Sequence, residues 1–291
     1  MISEIPKPEN VQYVSVYRDK KLRYIDYEMS NTINDIFNSH YDEFNRKIGY
    51  TSFDLKINLD NSREISNQIC RSEENSLCDL TIDAIRLIGK GDICLINAGS
   101  FRTDIMTGDI IFRNILDILP FPADIIVKEV SGQDILDALE FGVKDLPKKS
   151  PRFLQVSGIN FKVNLSIKST VVVDEEEVFV RVEGKRRVYD VFVGVEKLDI
   201  DKKYRISFDN YIGNGADGYS MFNKYGELLS LLKTDNEALK IYIEDELNGT
   251  IPEYYNNTHG RIIIHSANSN SSFFLKFSTI IPSILLYIIL F

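Results

Sequence analysis

The stretch DNYIGNGADGY, residues 209–219, combines residue types that could bind a small ligand. Its three glycines permit positive φ and let a ligand approach the backbone closely. Tyr211 offers a flat face for a base, and such stacking is worth about 1–3 kcal/mol per base. The Asp217 carboxylate could accept hydrogen bonds from two vicinal hydroxyls, as acidic residues do when they bind a ribose. A plain flexible loop is the alternative, and its pattern is not that of a phosphate-binding glycine loop.

A second candidate is NAGSFR, residues 97–102, which directly follows a short apolar run. Ligands often bind at the carboxyl ends of strands in α/β sheets, and Gly99 would allow close approach. Asn97 and Arg102 could hydrogen-bond the ligand, since a guanidinium matches the geometry of a phosphate. The alternative is an ordinary turn with a surface arginine.

Two further candidates depend on their position relative to predicted elements. Arg71 and Glu74 lie where a helix is predicted to begin, and a helix N-terminus beside an arginine can bind an anion. The alternative there is an exposed ion pair of small value. Phe121, the last residue of LPF (119–121), lies between two prolines in a loop, where it could stack on a base or, alternatively, pack on the core.

Hydrolytic chemistry has no recognisable residue set in this chain. The three histidines, His40, His259 and His265, are far apart in the sequence, and HExxH and GxSxG are both absent. No paired Asp and His runs suggest a dinuclear metal site. The sequence therefore predicts neither a catalytic nor a metal-ligating group here.

Composition limits the class of protein further. The 291 residues suffice for one large domain or two ordinary ones, and the net charge of −9 with a pI near 5.0 argues against a nucleic-acid partner. The basic run from Lys185 to Arg187 follows Gly184 and is predicted to be a hairpin turn with solvated charge. The three cysteines match no zinc pattern and are compatible with one disulfide and a free thiol, or with three buried thiols.

Periodicity predicts how these residues are positioned. Helices are predicted over 22–45, 74–88, 132–143 and 235–247, with Ser131 and Asp235 as N-caps. Strands are predicted over 50–60, 93–99, 125–130 and 204–208, and several more between 153 and 193 with a turn near Gly184. Helices and strands interleave irregularly, which predicts an α+β or mixed α/β fold.

Six segments, in this order, resemble the C-terminal domain of the 5'-nucleotidase family. They are RSEENSLCDLTIDA (71–84), NAGSFRTDI (97–105), ILPFPADIIVKEVSGQDILDALEFGV (118–143), FLQVSGINFKV (153–163), FDNYIGNGADGYSMF (208–222) and THGRI (258–262). The resemblance covers about residues 47–262 and implies mixed sheets with packed helices. It also implies three domain regions: a connector helix and linker at 1–46, the C-terminal-like domain at 47–265, and a spacer with a tail at 266–291.

The resemblance implies a role for each matching residue. Arg71, Asn97 and Arg102 would contact the phosphate or nearby oxygens, with Gly99 beside them. Phe121 and Tyr211 would hold the base between their rings, and Asp217 would bind the ribose hydroxyls. The family hydrolyses nucleoside 5'-monophosphates or related phosphoesters, which belongs to nucleotide catabolism. Its two divalent metal ions and catalytic His/Asp pair lie in a separate N-terminal domain.

This chain lacks the D-x-H and G-N-H-[DE] motifs of that domain. We therefore expect it to bind a nucleoside or nucleoside monophosphate, to carry no cofactor itself, and to be inactive without an upstream domain. The alternative is a degenerate, non-catalytic binding or surface-interaction module with the same fold. For the oligomeric state, a homodimer is one of the alternatives.

The chain also departs from the family pattern at several positions. Asn75-Ser76 shifts the usual Asn, Asp209-Asn210 inverts Asn-Asp, Pro122-Ala123-Asp124 replaces Gly-Asn, and Tyr211 replaces Phe while keeping a stacking face. Three family glycines are replaced, by Cys78, Ser100 and Ala216. Ala216 stands where positive φ could be needed. Some family members carry disulfides, and the resemblance to them leaves Cys78–Cys94 open as one disulfide pairing in this chain.

The C-terminal residues suggest a membrane anchor. Residues 277–291, FSTIIPSILLYIILF, are free of charge and follow a run of small polar residues. This pattern is typical of a GPI-attachment signal, with a tail anchor, a gene-model artefact or a buried segment as alternatives. The expected location is the cell surface or a secretory-pathway membrane, although the N-terminal residues show no secretory signal. Four N-x-S/T acceptors would suit a glycoprotein: Asn164, Asn248, Asn256 and Asn270.

Overall fold

The computed structural model describes residues 11–15, 22–26, 31–32, 35, 38–58 and 64–266. Strands and helices interleave along the chain, which confirms the mixed α/β prediction. The strands are β1 (Val11–Ser15), β2 (Leu22–Asp26), β3 (Lys47–Thr51), β4 (Ile93–Asn97), β5 (Gly108–Ile111), β6 (Asp124–Ser131), β7 (Leu154–Ser157), β8 (Ile159–Asn164), β9 (Val171–Val173), β10 (Phe179–Val182), β11 (Val188–Val193), β12 (Glu196–Lys197), β13 (Lys203–Asp209), β14 (Glu227–Thr234) and β15 (Ile262–His265). The α-helices are α1 (Tyr41–Phe44), α2 (Ser76–Gly89), α3 (Phe112–Ile118), α4 (Gly132–Gly142), α5 (Asn210–Gly213) and α6 (Asp235–Ile241).

A five-stranded sheet in the order β14-β6-β13-β4-β7 forms the centre of the fold. β4 and β13 are parallel, whereas the other neighbours pair antiparallel. Every residue of β4 is buried, as expected for a short apolar run covered on both faces. The predicted strands over 125–130 and 204–208 are therefore confirmed, and the strand predicted over 93–99 is confirmed with an earlier end, at Asn97.

Helix α2 packs on this sheet against β4, β7 and β13. Asn75 is its N-cap, because its side chain accepts hydrogen bonds from the backbone N–H groups of Leu77 and Cys78. Lys90, in the left-handed conformation, ends it. The helix predicted over 74–88 is thus confirmed, although it begins two residues later, at Ser76.

Helix α4 packs against β6, β10 and β11, between the central sheet and a four-stranded sheet in the order β12-β11-β8-β15. The Ser131 hydroxyl accepts from the backbone N–H of Asp134, which confirms the predicted N-cap. Burying one apolar face of α4, including Ile135, Leu139 and Phe141, joins the two sheets into one core.

The helix predicted over 22–45 is wrong at its start. Residues Leu22–Asp26 form strand β2, which pairs antiparallel with Val11–Ser15, and described helical residues in this stretch all lie at 31 or later. Apolar spacing at three and four residues cannot show a strand partner outside the window, and pairing with β1 overrides the helical pattern.

The strand predicted over 50–60 is also displaced. The regular strand ends at Thr51, and among the described residues 52–58 the one bridge is that of Leu55 to Ile105. The backbone N–H groups of Ile57 and Asn58 donate instead to the carboxylate of Asp104, at 2.7 and 3.2 Å. The Asp104 side chain therefore takes the place of a neighbouring strand as the partner of these N–H groups. An alternation of apolar and polar residues in the sequence cannot reveal such a side-chain partner.

The predicted hairpin turn at Gly184 to Arg187 is wrong, because the strands on either side belong to different sheets. β10 pairs with β9, whereas β11 pairs with β8 and β12. Arg187 is buried rather than solvated, and its guanidinium donates to four backbone carbonyls, those of Val143, Lys144, Leu146 and Ile167. Arg186 pairs with Asp137.

The last predicted helix exists with a different cap. Thr234, not Asp235, is the N-cap of α6 and forms a capping box with Glu237. The helix continues as a π-helical turn over Tyr242–Glu246. Cys70, Cys78 and Cys94 are all buried free thiols, so the Cys78–Cys94 pairing is wrong and the three-thiol alternative holds.

In the part of the chain that the structure describes, none of the helices combines the length and apolarity needed to cross a membrane. The apolar tail at 277–291 and the acceptor Asn270 lie outside the described residues.

Candidate functional site

Three loops leave the central sheet at one edge. β4 ends at Asn97 and the parallel strand β13 ends at Asp209, so the segments after both emerge side by side. β6 runs antiparallel to β13 with Ile125 opposite Asp209, which brings the segment before β6 to the same edge. The predicted site residues at 97–102, 121 and 211–217 all lie on these three segments, so strand topology alone brings them together.

Asp217 is the centre of a hydrogen-bond network at this edge. The amide nitrogen of Asn97 donates to its Oδ2 at 2.7 Å, and the hydroxyl of Tyr211 donates to its Oδ1 at 3.0 Å. Burial, together with the nearby Asp217 charge, raises the pKa of Tyr211 and keeps its hydroxyl a donor. Asp217 has φ +55°, a left-handed conformation that is uncommon outside glycine.

Ser100 extends the network on the other side. Its hydroxyl donates to Oδ1 of Asn97 at 2.7 Å, which turns the amide nitrogen of Asn97 toward Asp217. Gly99 lies under this amide, and a Cβ there would stand 2.9 Å from Nδ2 of Asn97 and 3.2 Å from the Pro151 side chain. Gly99 therefore makes room for the Asn97 side chain.

Two arginines lie beside the network. Arg71 is buried, and burial lowers the pKa of its guanidinium, as does the charge of Arg102. Gln68 links them, since its Oε1 accepts from Nε of Arg71 at 3.2 Å and its Nε2 donates to the Arg102 carbonyl at 3.4 Å. Nε of Arg102 is buried without a hydrogen-bond partner. Gln68 therefore ties the Arg71 guanidinium to the backbone of Arg102, and the charge of Arg102 acts on Arg71.

Two aromatic rings among the predicted site residues, those of Phe121 and Tyr211, are exposed to solvent. Phe121 is 67% exposed and Tyr211 is 51% exposed, so the interpretation of Phe121 as a core residue is wrong. The guanidinium carbon of Arg102 lies 5.2 Å from the centre of the Phe121 ring, a cation–π geometry. An exposed aromatic ring can stack with a planar ligand.

The glycine loop is held from beneath by Lys128 of β6. Its Nζ donates to the Gly213 carbonyl at 2.7 Å, to Oδ1 of Asn214 at 3.0 Å and to the Phe222 carbonyl at 3.5 Å. Asp209 caps the short helix α5 by accepting from the N–H of Ile212 at 2.7 Å. Burial raises the pKa of Asp209 to about 7. The loop that carries Tyr211 and Asp217 is therefore ordered, not a plain flexible loop.

The structure also shows that the backbone at Ala216 does not need the positive φ that would favour glycine. The left-handed positions in this loop are Gly215, at φ +85°, Asp217 and Gly218, at φ +89°, and Ala216 is not among them. An alanine at 216 therefore carries no backbone strain.

Glu74 does not belong to this cluster. Its carboxylate accepts from the backbone N–H groups of His259 at 2.7 Å and Ile262 at 3.0 Å, and so fastens the C-terminal segment to the start of α2. It is buried, so the alternative of an exposed ion pair with Arg71 is wrong as well. Nearby, Arg261 pairs with Asp83 at 2.7 Å, and burial raises the pKa of Asp79 to about 9.

A cavity of about 380 Å³ lies elsewhere, between α4 and β10, and contains none of the predicted residues. Its charged lining is largely paired: Arg186 with Asp137, and Lys224 with Asp134. Within the described ranges, no group of three or more His, Cys, Asp and Glu residues could hold a metal ion.

The structure brings all seven predicted residues to one edge of the sheet, and adds three that sequence reasoning missed. Gln68, Ser100 and Lys128 orient Arg71, Asn97 and the glycine loop respectively. Only Lys128 left a clear signal, as a lone cation within the apolar strand sequence DIIVKEVS.

Comparison with known proteins identifies the family. The family model described as the 5'-nucleotidase C-terminal domain matches residues 47–224. The chain is 27% identical over 207 residues to a 5'-nucleotidase of Vibrio parahaemolyticus, covering 71% of this chain and 33% of that protein. It is 26% identical over 210 residues to the 5'-nucleotidase of Homo sapiens, covering 68% and 34%. The chain therefore spans about a third of the length of these curated relatives.

Solved structures show the same fold. The crystal structure of a 5'-nucleotidase precursor from Thermus thermophilus superimposes with a TM-score of 0.65 at 25% identity, over 82% of this chain and 43% of that one. The NAD nucleotidase of Haemophilus influenzae superimposes with a TM-score of 0.60 at 15% identity, over 88% and 48%, which supports the fold alone. With a family match over more than half its residues, this chain belongs to the 5'-nucleotidase C-terminal domain family.

Proposed function

We propose that this chain is the nucleotide-binding half of a 5'-nucleotidase-like hydrolase and binds a nucleoside or nucleoside 5'-monophosphate. The observation that carries the proposal is the single cluster in which Asn97 joins Asp217 while Arg102 lies against Phe121. One edge of the sheet thereby offers a stacking surface, a carboxylate and cationic donors together. Those are the three chemistries that a base, a ribose and a phosphate require.

The base would lie between Phe121 and Tyr211. Both rings are more than half exposed, so they can cover a planar ligand without moving out of the core. Stacking on aromatic rings tolerates any base, because every base has a π-face. The two rings would therefore bind any nucleobase, and other contacts would select among the bases.

The phosphate would bind at Arg71 and Arg102, with Asn97 nearby. Two guanidinium groups held close together repel each other, and an anion between them relieves that repulsion. The Arg102 guanidinium, whose carbon lies 5.2 Å from the centre of the exposed Phe121 ring, supplies N–H donors for such an anion. Gly99, which leaves room for the Asn97 amide, contributes only indirectly.

Hydrolysis would be the function of the complete enzyme. In the family, metal ions bound by another domain activate the attacking water, and the described residues here supply binding and orientation. The alternative, a non-catalytic binding module with the same fold, would use the same nucleotide site. Activity of the full-length protein on AMP separates the two.

Isothermal titration calorimetry on the folded chain tests the binding proposal. We expect adenosine, guanosine, cytidine or uridine to bind, and the matching 5'-monophosphate to bind at least about tenfold more tightly, because charge-assisted hydrogen bonds to arginine are worth about 1.5–3 kcal/mol. Arg102→Gln should bring the affinity for the monophosphate down to that for the nucleoside. Absence of heat with all these ligands would refute the proposal.

Arg113→Gln is the matched control. Arg113 is an arginine on α3 with a side chain 60% exposed, and it pairs weakly with Asp117. This variant makes the same chemical change outside the cluster, so it should bind the monophosphate like the wild type. If it lost affinity equally, the effect of Arg102→Gln would be one of net charge.

The membrane anchor and the cell-surface location form a separate proposal, supported by the sequence of the tail, and the oligomeric state is tested with them. Phosphatidylinositol-specific phospholipase C applied to cells that make the chain tests the anchor. Release into the medium would support a GPI anchor, and retention would favour a tail anchor. Sedimentation of the released or detergent-extracted chain measures its oligomeric state.

A further inference from the structure

Two side-chain hydroxyl groups, those of Ser100 and Tyr211, take part in the same network. The Ser100 hydroxyl donates to Oδ1 of Asn97 at 2.7 Å. The Tyr211 hydroxyl donates to Oδ1 of Asp217 at 3.0 Å. The result is a continuous chain of hydrogen bonds from Ser100 through Asn97 to Asp217 and Tyr211.

This network satisfies Asp217 before any ligand arrives. Oδ2 accepts from Asn97 and Oδ1 accepts from Tyr211, so each carboxylate oxygen already has a donor. The left-handed backbone of Asp217 holds the carboxylate in this position. A phenylalanine at 211 would leave Oδ1 without its protein donor.

Selectivity against a ligand that lacks one hydroxyl arises mostly when its absence leaves a polar group of the site unpaired. Here the absence of a sugar hydroxyl leaves both oxygens of Asp217 paired. A ribose hydroxyl can still approach, but it competes with Tyr211 or shares an acceptor oxygen with it. The gain from that hydroxyl is therefore small.

We propose that Tyr211 is a specificity-determining residue, whose hydroxyl replaces a sugar hydroxyl on Asp217 so that the site accepts ribonucleosides and 2'-deoxyribonucleosides almost equally. The inference rests on the proposed nucleoside-binding function and specifies its substrate class. Tyr211 would thus act in two ways, its ring on the base and its hydroxyl on the carboxylate that faces the sugar.

Calorimetry with the four common ribonucleosides and their 2'-deoxy counterparts tests this inference. For the wild-type chain, we expect the dissociation constants within each pair to agree within about threefold. For Tyr211→Phe, which keeps the stacking ring, the ribonucleoside should bind at least about tenfold more tightly than its 2'-deoxy counterpart, because the freed oxygen then depends on the sugar.

Tyr254→Phe is the control, since Tyr254 is an exposed tyrosine stacked on His259 outside the cluster. It should keep the wild-type ratio. A wild-type preference of tenfold or more for every ribonucleoside, or an unchanged ratio in Tyr211→Phe, would overturn the inference while leaving nucleoside binding intact. If none of the eight nucleosides bound the folded wild-type chain, the proposed function would fail and the inference with it.

Discussion

Nζ of Lys128 lies 2.7 Å from the carbonyl oxygen of Gly213, joining the middle of a central strand to the glycine loop. Lys128 is 3% exposed, and burial lowers the pKa of its ammonium group. A buried cation with three oxygen partners in one loop restrains that loop strongly. Through it, the sheet determines where Tyr211 and Asp217 stand.

Replacing Lys128 by methionine should loosen the loop while keeping an unbranched side chain of similar length. We expect nucleoside affinity to fall at least about tenfold while the free energy of unfolding changes by less than about 2 kcal/mol, because losing a buried charge offsets part of the lost hydrogen bonding. Calorimetry and urea unfolding measure the two effects. Lys203→Met, on the exposed end of β13, is the control, and equal affinity in the two variants would contradict the role of Lys128.

The family pattern has glycine at position 216, but we expect the loop to need its glycine at Gly215 and to gain nothing from a glycine in place of Ala216. Gly215→Ala forces a Cβ into φ +85° and to within 2.2 Å of Oδ1 of Asn223, so it should lower the free energy of unfolding by about 1–2 kcal/mol. Ala216→Gly should bring no gain in ligand affinity and should cost about 0.5–1 kcal/mol through chain entropy. Urea unfolding with calorimetry checks both. Tighter binding by Ala216→Gly would show that the loop needs more freedom than the structure indicates.

Arg187 should prove essential for stability although it lies in a basic run. Arg187→Met removes the donors of four backbone carbonyls, and we expect the free energy of unfolding to fall by about 2–4 kcal/mol. Lys185→Met alters an exposed neighbour in the same run and should change it by less than about 0.5 kcal/mol. Chemical denaturation compares the two variants. Similar values would mean that the run is solvated, as the sequence alone suggested.

Asp79 should make the protein less stable as pH rises. Burial raises its pKa to about 9, whereas an unfolded aspartate has a pKa of about 3.9, so between these values the folded state retains a proton that the unfolded state has lost. Stability contributed by this proton is present at low pH and is lost as pH rises toward 9. The dependence for this group is at most about 1.4 kcal/mol per pH unit.

Asp79→Asn keeps the shape and removes the titration. We expect its free energy of unfolding to fall less steeply than that of the wild type between pH 7.5 and 8.5, a range above the raised pKa of Asp209, which is about 7. Urea unfolding at several pH values gives both slopes. Parallel slopes would mean that Asp79 is ionised in the folded protein.

Local sequence predicted those elements whose signals are local. The apolar period of α2, the Ser131 cap of α4 and the apolar run of β4 each lie within one window, and each was found. The site residues were predicted by residue type together with their order along the chain. Where a strand depended on a distant partner, as β2 depends on β1, the helical spacing of the same residues was misleading.

The sequence by itself determined which side chains could bind a nucleotide: aromatic rings, a carboxylate, an amide and two guanidinium groups. Only the tertiary structure decided that Asn97 donates to Asp217, 120 residues away, that Ser100 and Tyr211 complete this network, and that Lys128 supports the loop. It also decided that Arg187 is buried. Residue types and spacing are properties of one segment, whereas hydrogen bonds across a sheet edge depend on which strands become neighbours, and that depends on the packing of the whole chain.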